Sequence, residues 1–351
     1  MVFQLPVYQK RTADLKIALL ADPMLPVPPP LYGGIERVID MLAVGLTARG
    51  HEITLFAAPG SISPGRLVAY SSSATGALAT TANQAKIGWE LVSQGFDLIH
   101  SFARLAYLLP LLPLRLPKLM SYQREPTLRQ IRRAVRLAQP GSMAFTGCSD
   151  YITRQLSSCA RATTVYNGVD MARYNPTVTV ADDAPLVFLG RIEPIKGAHT
   201  AIAIAHASSR KLVIAGNIPN DAAGYFNQEI KPHLDGRDVD YVGAVNDAQK
   251  NELLGRAAAL LMPIHWNEPF GIVMAEAMAC GTPVLGLSRG AVPEVIDNGI
   301  TGFHAETPAA LIELVAEIGR LDRLTVRKCA EARFSAGVIT DEYLKVYNQL
   351  I

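Results

Sequence analysis

A chain of 351 residues, 49% of them hydrophobic, carries material for two packed domains, since one hydrophobic core rarely grows past about 250–300 residues. The formal charge of +2 gives no polybasic signature, which argues against nucleic acid as a partner. Cys148, Cys159, Cys280 and Cys329 form no CxxC pair and read as reduced thiols of a cytoplasmic protein.

The opening stretch MVFQLPVYQKRTADLK lacks the charged-then-apolar pattern of a signal peptide. No apolar run reaches the ~20 residues that cross a bilayer; 105–120 comes closest, but Arg115, Lys118 and its prolines interrupt it. In chain order, short apolar runs at 15–21, 52–58, 97–101, 118–122 and 144–149 read as strands. A second series follows at 186–190, 211–216, 239–243, 259–263 and 283–287. Most are continuous rather than alternating, as when helices cover both faces of a sheet. Helix-like segments separate them, such as 34–50, with Gly50 placed to stop the helix. The pattern predicts an α/β protein of two Rossmann-like, doubly wound domains facing across a cleft. The aperiodic stretch 170–185 reads as the linker, and 338–351 as an amphipathic helix.

Ligands of such sheets sit at the carboxyl ends of the strands, and the informative motifs follow strands. Gly33 and Gly34 open a helix after a Pro-rich loop. They allow close approach of backbone to a phosphate, or make a plain strand–helix turn. In GRIEPIKG (190–197), Arg191 and Lys196 supply the charge that a departing diphosphate needs, or are solvated surface cations.

EPFGIVMAE (268–276) brackets an expected helix start near Phe270–Gly271, with the helix running to Cys280. The amides of Phe270, Gly271 and Ile272 then offer a site for phosphate or sugar hydroxyls. Glu268 and Glu276 reach different parts of one extended ligand, and a carboxylate suits a vicinal diol. The plain alternative is one helix-start acid and one buried, paired acid. Glu294 reads equally as a cap or a ligand group. Asp238 and Asp240 form a DxD at a strand start, which is a poor place for a metal. Arg129, Arg132, Arg133 and Arg136 share one helical face, with Leu128, Ile131 and Val135 turned elsewhere. That face is either solvated or a contact for an anionic acceptor or membrane surface.

GRIEPIKG, EPFGIVMAEAMACGTPVLG and GAVPEVIDNGITGF resemble, in order and spacing, the nucleotide-sugar half of the retaining glycosyltransferases of family 4, which have the GT-B fold. YGGIERVI, GHEITLFAA and DLIHS are similar to its first domain. The resemblance implies an acceptor-side domain at 1–169, a donor-binding domain at 170–333, and a tail from about 334 that crosses back to the first domain. It implies a UDP- or GDP-linked sugar donor and an unknown hydroxyl acceptor; the arginine face leaves open a lipid-linked or anionic acceptor and peripheral association at the inner membrane surface. No metal or other cofactor is expected. Glu276 would hold the ribose and Glu268 the donor sugar. Phe270, Gly271 and Ile272 would contact sugar and diphosphate, Arg191 and Lys196 would hold the diphosphate, and Gly33–Gly34 would approach it from the first domain. His100 matches a family histidine, although a lone histidine there is more often structural. Gln123 stands at or near a position where the family often has another histidine, so it can position a donor but cannot titrate. Attack would come on the leaving group's own face, without a protein nucleophile. The rivals are a related sugar-nucleotide epimerase or hydrolase and a silent nucleotide-sugar binder; a dehydrogenase lacks its GxGxxG.

Overall fold

The computed structural model describes residues 14–30, 33–74 and 76–351. Most of the opening stretch read above for a signal peptide lies outside the described residues. Two parallel sheets organise the chain. The first contains β1 (Lys16–Leu20), β2 (Glu52–Ala57), β3 (Arg66–Ala69), β4 (Leu98–Ser101), β5 (Lys118–Tyr122), β6 (Met143–Gly147) and β7 (Ala162–Thr164), in the order β3-β2-β1-β4-β5-β6-β7. The second contains β8 (Leu186–Leu189), β9 (Leu212–Ala215), β10 (Val239–Tyr241), β11 (Ala259–Met262), β12 (Val284–Leu287) and β13 (Gly302–Ala305), in the order β10-β9-β8-β11-β12-β13. In each sheet the order reverses beside the first strand, and this switch point opens a crevice at the strands' carboxyl ends. The central strands are buried along nearly their whole length.

Helices cover both sheets. The first domain has α1 (Gly34–Thr47), α2 (Ala77–Gln94), α3 (Leu128–Leu137) and α4 (Asp150–Ser157). The second has α5 (Ala198–Ala207), α6 (Ala223–Tyr225), α7 (Asp247–Arg256), α8 (Ile272–Ala279), α9 (Val292–Val295), α10 (Pro308–Val315) and α11 (Arg323–Phe334). None of the described helices is long and apolar enough to cross a membrane. After α11 the chain returns: α12 (Ala336–Leu350) buries Ile339, Tyr343, Val346, Tyr347 and Leu350 in the core that holds Val38 and Leu42 of α1. The two crossings touch. The Val169 amide donates to the Phe334 carbonyl at 2.8 Å, and the Ala336 amide to the Val169 carbonyl at 3.1 Å.

Candidate active site

The site starts with two helix beginnings. Gly271 precedes α8 with φ 77°. A Cβ there would come within 2.8 Å of the Met274 Cε and 3.3 Å of the Glu268 Cγ. Because Gly271 takes this left-handed turn, the helix begins at Ile272, later than the Phe270–Gly271 start expected from sequence. Phe270 is buried, and its ring lies 6.0 Å from Tyr166 and 5.6 Å from Phe334, centroid to centroid. The apolar residue of the motif thus anchors the loop beside the domain crossing. Across the cleft, Gly34 begins α1, and a Cβ on it would lie 2.9 Å from the Ile272 Cδ1. Gly33, with φ 150°, packs on Pro29. The N-termini of α1 and α8 therefore meet. Each carries unpaired first-turn N–H groups and the positive end of a helix dipole, a combination suited to an anion.

Glu268 is buried. Its Oε2 accepts from the Lys196 Nζ at 2.7 Å and from the Trp266 Nε1 at 3.0 Å, and the Lys196 ammonium stands 4.6 Å from the Trp266 ring centroid. Arg191 pairs with Glu193 at 2.9 Å. The two cations therefore do not simply project into solvent. A buried carboxylate needs a counter-charge, and Lys196 supplies it from the turn Pro194–Lys196. The GRIEPIKG and EPFG motifs thus form one cluster. Trp266 was not singled out from the sequence; its place two residues before Glu268 was the available signal.

Glu276, in the second turn of α8, is also buried. It accepts from the Tyr174 hydroxyl at 2.7 Å and from the Lys250 ammonium. Burial, then the Glu276 charge, raises the Tyr174 hydroxyl pKa far above its usual value. Lys250 also lies 3.5 Å from Asp247, which pairs with Arg37 of α1 at 2.6 Å. A cavity of about 280 Å³ opens here between the domains, lined by Arg37, Asp40, Asp247 and Glu276 among others. Sequence reasoning missed Lys250 and Tyr174, which reach Glu276 only through the folded domain.

The structure places His100 in the core, as the structural alternative has it. It is fully buried, with Nδ1 2.7 Å from the Tyr347 hydroxyl and Nε2 2.7 Å from the Ser121 Oγ. Burial lowers its pKa to about 3. Both nitrogens are used within the core beneath α12. Gln123 is better placed. It lines a second cavity of about 310 Å³ with Arg104, Tyr122, Arg124 and Glu125. Its Oε1 accepts from the Asn167 Nδ2 at 2.7 Å, while its Nε2 is buried without a partner among the described residues. The α3 residue Gln130 lines the same cavity. Arg129, Arg132, Arg133 and Arg136 are all exposed on α3. Val135, expected to face elsewhere, is 38% exposed beside them, because Ile131 and Ala134 alone fill the inward stripe.

Two doubly wound domains, with paired acids at a strand-to-helix loop of the second, define the GT-B class. The comparisons agree. The model of the Glycosyl transferases group 1 family matches residues 176–332, and that of Glycosyltransferase Family 4 matches residues 32–173. Each model matches under half of the chain, but together they take in most of it and support a GT-B glycosyltransferase of the family 4 type. A glycogen synthase of Mycobacterium tuberculosis is 34% identical over 150 residues, 41% of this chain and 36% of that protein. The match thus spans about a third of that relative's length. Spore coat protein SA of Bacillus subtilis is 26% identical over 95% of this chain and its own full length. AviGT4, a glycosyltransferase involved in Avilamycin A biosynthesis, superposes with a TM-score of 0.72 at 26% identity, covering 96% of this chain and 98% of its own. Anabaena HepE, solved with UDP and glucose, shares the fold with a TM-score of 0.73 at 20% identity, covering 95% and 99%.

Proposed function

We propose that this chain is a retaining glycosyltransferase that moves a hexosyl group from a UDP- or GDP-linked sugar to a hydroxyl acceptor. The observation that carries the reading is the pair of buried glutamates, Glu268 and Glu276. Each is held by a lysine, and they flank the point where the N-termini of α1 and α8 meet. The diphosphate fits between those helix starts, with Lys196 and Arg191 countering the charge that grows as its bond to the anomeric carbon breaks. Glu276 takes the ribose diol and Glu268 the sugar hydroxyls. The acceptor oxygen bonds the anomeric carbon on the face the diphosphate leaves, and the acceptor's proton passes to the departing diphosphate oxygen. Protein cations carry the charge in this scheme, so it calls for no metal. That HepE was solved with UDP-glucose supports a nucleotide-sugar donor. Gln123 and its cavity suit the sugar's reacting face. The α3 arginines suit an anionic acceptor or a membrane surface in the cytoplasm, where free cysteines persist.

A thermal-shift screen over UDP-, GDP- and ADP-sugars tests the reading. A donor at a hundredfold its Kd stabilises the folded state by about 2.7 kcal/mol, so one nucleotide class should raise the melting temperature selectively. No shift with any of them would overturn the proposal.

A further inference from the structure

Glu294 belongs to α9, a single turn of the second domain, yet its carboxylate serves the first. Its two oxygens accept from the amides of Tyr151 and Asp150, each at 2.6 Å. These residues open α4, and their N–H groups are among those a helix cannot satisfy itself. The helix dipole favours a negative charge at that place. The first domain's own cap, Ser149, reaches only the Ile152 amide, at 3.2 Å. Glu294 therefore completes the cap from across the cleft, with its side chain only 13% exposed.

The other contacts of α9 explain why this matters. The Ala291 amide, just before α9, donates to the Glu268 carbonyl at 2.8 Å. A Cβ on Gly290 would lie 2.4 Å from that same oxygen, so only glycine admits the approach. After Glu294, Arg333 of α11 donates to the Glu294 carbonyl, to the Val295 carbonyl at 3.2 Å and to the Asp297 carboxylate at 2.9 Å. Arg333 lies two residues before Ser335, where the chain crosses between domains. One short turn is thus fastened to the donor glutamate, to the crossing and to the opposite domain.

We propose that Glu294 is a positioning residue that holds the first domain against the donor loop, so that the seating of Glu268 and the closure of the cleft move together. The ligand-dependent half of this inference rests on the function proposed above. Hydrogen exchange on the full chain tests it. Without nucleotide, the Asp150 and Tyr151 amides should exchange slowly in the wild type and roughly tenfold faster in Glu294→Ala, because a helix end without its cap opens locally. Glu294→Gln keeps one acceptor oxygen and should restore protection at one of the two amides. Calorimetry with UDP and with GDP identifies the nucleotide that binds. That nucleotide should slow both amides further in the wild type and fail to do so in Glu294→Ala while still binding. Fast exchange of both amides in the wild type would overturn the proposal even if the variants do not fold. So would equal protection in Glu294→Ala, or nucleotide-dependent slowing that survives in it. If neither nucleotide binds, the donor reading falls, and the nucleotide-free comparison alone decides the position of Glu294.

Discussion

Lys196 and Lys250 each neutralise a buried glutamate, so the proposed donor site is charge-balanced before any donor enters. Glu276→Ala removes the acceptor shared by Lys250 and Tyr174. Its main expected effect is nucleotide affinity weaker by about tenfold or more, the worth of a hydrogen bond with a charged partner. Calorimetry with UDP and GDP checks this, and equal affinity in variant and parent would refute the ribose assignment. His100 gives a prediction of a different kind. Its pKa falls from 6.5 to about 3 because burial disfavours the imidazolium. Below pH 6.5 the unfolded chain takes up a proton that the folded chain refuses. This contribution to stability is therefore complete above pH 6.5 and declines by up to about 1.4 kcal/mol per pH unit toward pH 3. Melting temperatures from pH 7 to pH 4 should fall less steeply in His100→Asn than in the wild type; equal slopes would show that His100 does not drive the decline. Glu268 stood out in the sequence as a candidate site residue because its motif is local. Its partner Lys196 stands 72 residues away, and nothing in the spacing announces that they pair.

At the scale of elements, the strands read from sequence were mostly central and buried ones, such as β11 and β12, with the edge strand β10 the exception. Those missed were β3, β7 and β13, and all three are sheet edges. Arg66–Ala69 begins with an exposed arginine, Ala162–Thr164 has no buried residue, and Gly302–Ala305 is half-buried after its first position. An edge strand pairs on one side only, so it needs no long apolar run, and the signal that marks a central strand is missing. Helix α3 was legible because its charge pattern is local. Its four arginines are exposed and form no ion pair among the described residues. They should bind vesicles containing a third phosphatidylserine at 20 mM salt and release them at 500 mM, as screening shortens the Debye length toward ~4 Å. Charge reversal of Arg129, Arg132, Arg133 and Arg136 to glutamate should abolish sedimentation with the vesicles. Absence of binding by the wild type at low salt would leave the arginines as a solvated face.

On the scale of the whole molecule, the two domains do not own their sequences cleanly. The chain enters the second domain near Tyr174 and leaves it after Phe334, and its last helix returns to finish the core it left. Ile339, Tyr343, Val346, Tyr347 and Leu350 are each at most 8% exposed. At about 1.5–3 kcal/mol per buried side chain, they contribute roughly 10 kcal/mol, as much as the ~5–15 kcal/mol that keeps a domain folded. Tyr347 and Tyr343 also satisfy polar atoms of the first domain: the Tyr347 hydroxyl meets His100 at 2.7 Å, and the Tyr343 hydroxyl meets Ser121 at 3.3 Å. Removing residues 336–351 would expose one face of β1, β4 and β5 and leave His100 partly unpaired. The second domain loses much less, since α11 and Phe334 stay with it against α8 and Phe270. The expected outcome is a split molecule. In hydrogen exchange, peptides from 14–164 should lose protection while those from 186–334 keep it. Limited proteolysis should then digest the first domain and spare a fragment that begins near the linker. Retained protection in β1, β4 and β5 would mean that α12 rests on a core already complete without it.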